Sequence, residues 1–289
     1  MDLVVRKARW DDRQAAVEAE GLATPNLHYL DQVYADWLAD EDGELLVADL
    51  DGQVVAVGKF SVVPDGSAWL EALRVRPDRQ GLGIGKAFYR RFFELAAKKK
   101  ITTMRMYTGV TNQVSKGLAE HFGFTLAGTF RGYTFTVPET PPLNWGEGFE
   151  TITDGEKAVA LLAPCEPDWA GFSIMNRTFY RCSAALWKDW AARGWVHHHR
   201  ESGTNVVLGA RFIPEQALHM ALFSGDPDRA VRFAAGKARS LGNDVLKAMI
   251  PAASAELKTA LTEREFVPES SDCIVMESVQ EEPKSVRGS

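Results

Sequence analysis

A glycine-rich segment at residues 75–86 constrains the fold and chemistry of this chain more than any other feature. It reads VRPDRQGLGIGK, so that an extended run ends, glycine alternates with apolar residues, and a helical pattern begins. Glycine has no Cβ, which lets an anion approach the main chain closely, and the N–H groups at the start of a helix attract negative charge. The segment therefore predicts a pyrophosphate site at the N-terminus of a helix from about Leu82 to Lys98.

Two common phosphate-binding loops do not fit this segment. A dinucleotide-binding loop has the spacing GxGxxG after a first strand, whereas Gly81, Gly83 and Gly85 give GxGxG after several strands. A Walker loop requires Ser or Thr after Gly-Lys to bind magnesium, and here Lys86 is followed by Ala87. An ordinary strand-to-helix connection without a ligand is the remaining alternative.

The residues QGLGIG, at positions 80–85, fit instead the pattern R/Q-x-x-G-x-G/A. In that pattern the preceding strand ends with the sequence hydrophobic-x-V-x-P, which is LRVRP at positions 73–77 here. In this pattern the chain resembles the GNAT superfamily of acyl-CoA N-acyltransferases. Hydrophobic periodicity predicts the element order βααβββαβαββ over residues 3–137, which is the order of the GNAT fold. The predicted fold class is therefore α/β (α+β, mixed sheet), with central strands that splay apart.

Two domains are predicted for this length of 289 residues. Residues 1–137 form the predicted acyl-CoA-binding catalytic domain, and the Pro- and Gly-rich residues 138–148 form a linker. Residues 149–280 repeat the order of elements and are interpreted as a degenerate GNAT-like domain. Residues 281–289 have the composition of a disordered tail.

The second domain has the residues SGDPDR where the first has its glycine loop. Asp226 and Asp228 would repel a pyrophosphate, and Pro227 lacks an N–H donor. Acyl-CoA is therefore expected to bind only to the N-terminal domain.

Composition excludes several classes of partner. The net charge of −6 argues against nucleic acid and anionic membranes and suits a cationic amine. Three cysteines without a CxxC spacing predict neither a disulfide framework nor a zinc site, and consecutive histidines at 197–199 alternate faces on a strand, so no metal is expected. Without a signal-peptide pattern or a spanning apolar run, the expected location is cytoplasmic.

The resemblance also implies which residues bind acetyl-CoA, the expected co-substrate. Main-chain groups of the splayed strand would pair with pantetheine, the glycine loop would hold the pyrophosphate, and an asparagine at the start of the next helix would contact the cofactor. In this sequence these residues are Leu73, Arg74 and Val75 for pantetheine, Gln80, Gly81, Leu82, Gly83, Ile84, Gly85 and Lys86 for the loop, and Asn112 for the helix. A plain helix N-cap is the alternative reading of Asn112.

Glu71, in the segment WLEAL, is the candidate general base. An alkylamine, with a pKa of about 10, must lose a proton before it attacks a thioester. A carboxylate within an apolar strand is costly unless it lines a cavity or has a partner, so Glu71 is expected to face the acyl group. A solvated edge residue or a structural ion pair is the alternative. The amide of Val75 or its neighbour would bind the thioester oxygen.

The proton donor for the leaving thiolate is where the chain departs from the family pattern. Family members often carry a tyrosine in the helix before Gly-Phe, and here Ala119 occupies that position. Ser115, Tyr107 and Tyr133 are candidate substitutes, and each has an ordinary packing or surface role as its alternative.

Together these features predict an N-acetyltransferase that transfers an acetyl group from acetyl-CoA to a primary amine of a small molecule or amino acid, by direct attack in a ternary complex. It would work as a monomer or homodimer. A protein or peptide N-acetyltransferase is the enzymatic alternative, and a non-catalytic acyl-CoA-binding sensor is the alternative from another class.

Overall fold

The computed structural model describes residues 2–25, 27–140 and 143–280. They form two compact units that exchange segments along the chain. Unit 1 contains the chain up to Thr108, Asn112–Leu126 and the chain from Met276, whereas unit 2 contains Gly109–Thr111 and Ala127–Val275.

These units differ from the predicted division at residues 137 and 149. Residues 127–137 group with unit 2, because the strand that contains them pairs with a strand of that unit from Phe130 to Thr136. The predicted domain boundaries stay a prediction as far as function is concerned. The predicted disordered tail at 281–289 lies outside the described residues.

Unit 1 is built on a mixed sheet. Its elements in chain order are β1 (Leu3–Lys7), α1 (Arg13–Ala23), α2 (Leu30–Ala39), β2 (Glu44–Leu50), β3 (Gln53–Val62), β4 (Ala68–Val75), α3 (Ile84–Lys99), β5 (Thr103–Gly109) and α4 (Gln113–His121). The strands lie in the order β1-β2-β3-β4-β5. Neighbours are antiparallel from β1 to β4, and β4 and β5 are parallel. The predicted mixed α/β fold class is confirmed.

Unit 2 repeats this order of elements. The remaining elements of the chain are β6 (Thr125–Thr136), β7 (Phe149–Ile152), α5 (Gly155–Leu162), β8 (Phe172–Met175), β9 (Thr178–Arg181), α6 (Ala184–Ala192), β10 (Val196–His199), β11 (Thr204–Gly209), β12 (Leu218–Ser224), α7 (Pro227–Ser240), β13 (Val245–Pro251), α8 (Ala255–Thr262), β14 (Val267–Pro268) and β15 (Cys273–Val279). Six strands follow the order β6-β13-β12-β11-β10-β7, with β12 and β13 parallel. Strands β8 and β9 form a separate hairpin.

One expected pair of strands is a single strand. The order predicted two strands at the end of the first half, but β6 runs through twelve residues without a turn. Gly128 and Gly132, which could have marked a turn, keep ordinary φ angles within the strand.

Helix α3 packs closely on the sheet of unit 1. Phe88 and Phe92, one helical turn apart, are fully buried beneath it. The approach requires Gly58 on β3, because a Cβ there would lie 2.9 Å from Phe88 Cε1. Helix α3 is the longest described helix at 16 residues, and no helix in the described part of the chain is long and apolar enough to cross a membrane.

A buried ion network ties the end of the chain into unit 1. The Arg105 side chain on β5 is only 4% exposed and donates to Asp65 Oδ2 at 2.7 Å and to Glu277 Oε2 at 2.6 Å. Asp65 lies in the β3–β4 turn, where Ser67 also donates to it. A buried charge is tolerated when it is paired and hydrogen-bonded, as it is here.

We expect the substitution Arg105→Ala to lower the free energy of unfolding of unit 1 by about 3–5 kcal/mol, because it leaves two carboxylates without their cation. Urea unfolding followed by circular dichroism measures the change. Arg13→Ala is the control, since Arg13 pairs with Asp31 on the surface and should cost no more than about 1 kcal/mol. Equal losses for the two variants would contradict the structural role of Arg105.

Candidate functional site

The central strands of unit 1 separate soon after they begin. The parallel ladder between β4 and β5 contains two pairs, Ala68 with Met104 and Trp69 with Arg105. Beyond Trp69 the described residues of β4 do not pair with β5, and the Trp69 ring stacks on Tyr107 of β5 with their centroids 6.0 Å apart. The predicted splay of the central strands is therefore confirmed, and main-chain groups near the end of β4 lie outside the β4–β5 ladder.

Strand β4 contains a β-bulge next to this opening. Arg74 pairs with Val57 and Glu71 pairs with Lys59, so β4 advances by three residues while β3 advances by two. The extra residue involves Ala72, whose φ of +54° is rare for a residue with a side chain. Because side chains alternate along a strand, the bulge places Glu71 and Arg74 on the same face of the sheet.

Glu71 is a buried carboxylate on that face. Glu71 is only 8% exposed, and Ser61 Oγ donates to its Oε1 at 2.6 Å. Strand β4 lies between β3 and β5, so the alternative of a solvated edge residue does not hold. The hydroxyl of Ser61 orients one carboxylate oxygen of the predicted base, and the role of that base stays a prediction.

Tyr29 joins the same group of side chains from the start of α2. Burial raises the pKa of Tyr29, the charges of Glu71 and Tyr107 raise that pKa further, and Arg74 opposes the shift. The side chains of Glu71, Arg74 and Tyr107 therefore lie within electrostatic range of Tyr29. Only Glu71 and Tyr107 were singled out for their side chains from the sequence. Tyr29 lies among the apolar residues that precede α2, where no motif marks it.

Glu20 on α1 holds this end of α2 in place. Its Oε2 accepts from the main-chain N–H groups of Tyr29 at 3.3 Å and Leu30 at 3.1 Å. Burial raises the pKa of Glu20, while those two N–H groups and the charge of Arg74 oppose the rise. Glu20 thus acts as a cap for the helix that carries Tyr29.

The glycine loop has the geometry of an anion site. Gly81 and Gly83 have φ angles of +80° and +79°, and a Cβ on either would meet nothing within 4 Å. Gly83 is the N-cap of α3 and forms no side-chain cap, and the first turn of the helix has no acidic residue. The first N–H groups of α3 therefore remain for a ligand. Gln80 Nε2 donates to Val75 O at 3.4 Å, which links the loop to the end of β4.

The third glycine of the loop serves packing instead. A Cβ on Gly85 would lie 2.8 Å from Leu118 Cδ2 of α4, so glycine is needed there for the close approach of two helices. Among the other predicted loop residues, Leu82 and Lys86 are exposed and Ile84 is buried.

Asn112 and Ala119 lie on α4 or at its start. Asn112 Oδ1 accepts from Ser115 N at 3.0 Å, so the reading as a helix N-cap is confirmed and contact with the cofactor stays a prediction. Ala119 is fully buried, and its carbonyl accepts from Phe122 and Phe124 at the end of the helix. Of the proposed substitutes for the missing tyrosine, Tyr107 belongs to unit 1 and acts electrostatically on Tyr29, whereas Tyr133 belongs to unit 2.

In unit 2, side chains of the unit itself form hydrogen bonds with the main-chain groups that correspond to the predicted cofactor site of unit 1. At the start of α7, Asp226 Oδ1 accepts from the N–H groups of Asp228 at 2.9 Å and Arg229 at 3.3 Å. Beyond the short β12–β13 ladder, Ser173 Oγ donates to the carbonyl of Ala221 at 2.9 Å. The buried indole of Trp169 likewise donates to Phe223 O at 3.1 Å. These contacts support the expectation that only the N-terminal half binds acyl-CoA.

Comparison with known proteins agrees with this geometry. Residues 6–124 match the model of the Acetyltransferase (GNAT) family, and no curated protein sequence matches the chain. A GCN5-related N-acetyltransferase from Sphaerobacter thermophilus is similar to 96% of this chain over 95% of its own length, with 14% identity and a TM-score of 0.62. A tandem GNAT protein from the clavulanic acid biosynthesis pathway gives 96% and 98% coverage, 14% identity and a TM-score of 0.59.

A third structure, a GCN5-related N-acetyltransferase from Kribbella flavida, covers 96% of this chain over 71% of its own, with 12% identity and a TM-score of 0.54. At these identities the likeness is one of fold, and it extends over both units. The family match lies where the splayed strands, the bulge and the glycine loop occur together. Residues 6–124 therefore match the GNAT acetyltransferase family, and the fold of the whole chain is similar to that of solved GNAT structures.

Proposed function

We propose that this protein is an acetyl-CoA-dependent N-acetyltransferase that acetylates a primary amine of a small molecule or amino acid by direct attack in a ternary complex. The observation that carries the proposal is the buried Glu71 on the β4 bulge, at the opening between β4 and β5. The uncapped N-terminus of α3 follows within a few residues. A binding site for the cofactor and a base for the amine are thus built on one strand.

The residues of the loop fit acetyl-CoA. The N–H groups at the start of α3 and the open space in front of Gly81 and Gly83 suit a pyrophosphate. Main-chain groups of Leu73, Arg74 and Val75 lie beyond the β4–β5 ladder, where they would pair with pantetheine as an added strand does. When bound, acetyl-CoA supplies the acetyl thioester.

Glu71 would act on the acceptor. Its carboxylate takes a proton from the ammonium group, the amine lone pair forms the new N–C bond, and the C–S bond of the thioester breaks as the thiolate leaves. The nitrogen then loses a second proton to solvent, which leaves the neutral amide. The hydrogen bond from Ser61 fixes the carboxylate for this step. A main-chain N–H near the bulge would stabilise the negative oxygen.

Tyr107 is the best placed group to return a proton to the thiolate. It lies on β5, across the opening from β4, and it is part of the cluster with Tyr29 and Glu71. Ala119, at the position of the usual tyrosine, has no proton to give. This absence and the degenerate second half favour the sensor alternative, in which acyl-CoA binds but does not react.

We expect acetyl-CoA to bind with a single equivalent per chain, measured by isothermal titration calorimetry. Gly83→Val should weaken binding at least about tenfold, because it adds a side chain in the open space and strains a left-handed residue. Gly52→Val is the matched control, since Gly52 has a φ of +84° with no atom within 4 Å of its Cβ position. Two equivalents, or equal losses in both variants, would contradict the site.

Glu71→Gln should lower kcat about 100-fold or more while leaving acetyl-CoA affinity unchanged, as expected for the loss of a general base. Release of CoA in the presence of pooled amino acids, polyamines, arylamines, aminoglycosides and short peptides measures turnover. Glu44→Gln, which removes a carboxylate paired with Arg91, is the control and should retain the wild-type rate. Tight acetyl-CoA binding without turnover in any pool would favour the sensor. Activity confined to peptides would favour the protein acetyltransferase.

A further inference from the structure

Arg74 lies next to the predicted base and is not explained by its main-chain role. The bulge places it on the face of the sheet that Glu71 occupies, with partners two residues apart on β3. That spacing corresponds to about 7 Å along the strand. A cation and a carboxylate thus stand side by side at the opening between β4 and β5.

One edge of the Arg74 guanidinium has no hydrogen-bond partner among the described residues. Its Nη1 donates to the carbonyl of Leu73 at 3.1 Å, whereas its Nε is buried and has no hydrogen-bond partner. The fork formed by Nε and Nη2 is the edge that binds a carboxylate through two parallel hydrogen bonds. Among the described residues, no side chain bonds to this fork.

Arg74 differs in this respect from the other arginines whose Nε is buried without a hydrogen-bond partner. Each of those forms an ion pair with a carboxylate, and they are Arg13, Arg79, Arg91 and Arg264. Arg74 forms no ion pair within the described part of the chain, although the charges of Glu20 and Glu71 are near enough to act on the same tyrosine. The charge of Arg74 acts on Glu20 without a direct ion pair between them, so the Nε–Nη2 fork is left for a ligand.

The fold places Arg74 away from the α3 side of the sheet. Gly58, between the partners Val57 and Lys59 on β3, faces Phe88 of α3, so Arg74 and Glu71 face the opposite side. Helices α1 and α2 contribute Glu20 and Tyr29 on that side. The cluster is therefore suited to the acceptor rather than to the phosphates of the cofactor.

We propose that Arg74 binds the carboxylate of the acceptor through its Nε–Nη2 fork, so that the acceptor is an α-amino acid whose amino group lies at Glu71. The assignment rests on the proposed function, because Glu71 deprotonates the amino group of the molecule that Arg74 holds. An α-amino acid carries both groups within the short span that separates these side chains. A polyamine would bring a second cation to Arg74, and a peptide N-terminus has no carboxylate beside its amine.

The test measures binding rather than turnover. The CoA-loaded protein is titrated by calorimetry with each of the twenty amino acids and with the amine that lacks only the carboxylate. At least one amino acid should bind about 10- to 100-fold more tightly than its amine, the range for hydrogen bonds between charged groups. Arg74→Met should abolish that preference, and Arg74→Lys, which keeps the charge but not the fork, should retain only part of it. Arg76→Met is the control and should retain the full preference, because Arg76 already pairs with Asp78.

Equal affinity for amino acids and amines, or a preference that survives in Arg74→Met, would overturn the assignment. The comparison within the wild-type protein and the Arg74→Lys variant decides the matter even if Arg74→Met does not fold. Turnover is scored separately. Amines acetylated without a carboxylate preference would leave the proposed function intact and refute the role of Arg74. Amino acids that bind through Arg74 but are not acetylated would do the reverse.

Discussion

One extra residue in β4 determines where the reactive groups of unit 1 lie. Glu71 and Arg74 are three residues apart, so without the bulge at Ala72 they would point to opposite faces of the sheet. With it, both point to the side where α1 and α2 lie. The left-handed conformation of an alanine is unfavourable, so the surrounding sheet must hold it.

The two units share an order of elements but differ in whether the start of the helix after the fourth strand is left open for a ligand. In unit 1 the helix after the fourth strand begins with glycines and leaves its N–H groups uncapped. In unit 2 the corresponding helix begins with Asp226, whose carboxylate takes two of those N–H groups. Trp169 and Ser173 take the free carbonyls of the strand. These internal hydrogen bonds of unit 2 use the donors and acceptors that a nucleotide would need.

Much of the fold could be predicted from sequence because its signals are local. The glycine spacing, the hydrophobic periods and the Asp-Pro-Asp segment each depend on residues a few positions apart. The position of Glu71 could be inferred in the same way, from a charge within an apolar strand. The side chains around it could not, because Ser61 and Arg74 share its face only through strand register and a bulge, and Tyr29 comes near only through the packing of α2. Nothing in the segment LEALRV indicates which residue is the extra one.

The exchange of segments between the units could not be predicted from the sequence either, because the periodicity of a strand does not indicate which strand it pairs with. It has a consequence for biosynthesis. Arg105 and Glu277 are separated by 172 residues, and at 5–20 residues per second a ribosome needs about 10 to 30 s to make that stretch. Throughout this time the first unit has a buried arginine with only one of its two carboxylates. The ion network of Arg105 can therefore be completed only after residue 277 has been made, when the chain of unit 2 already exists.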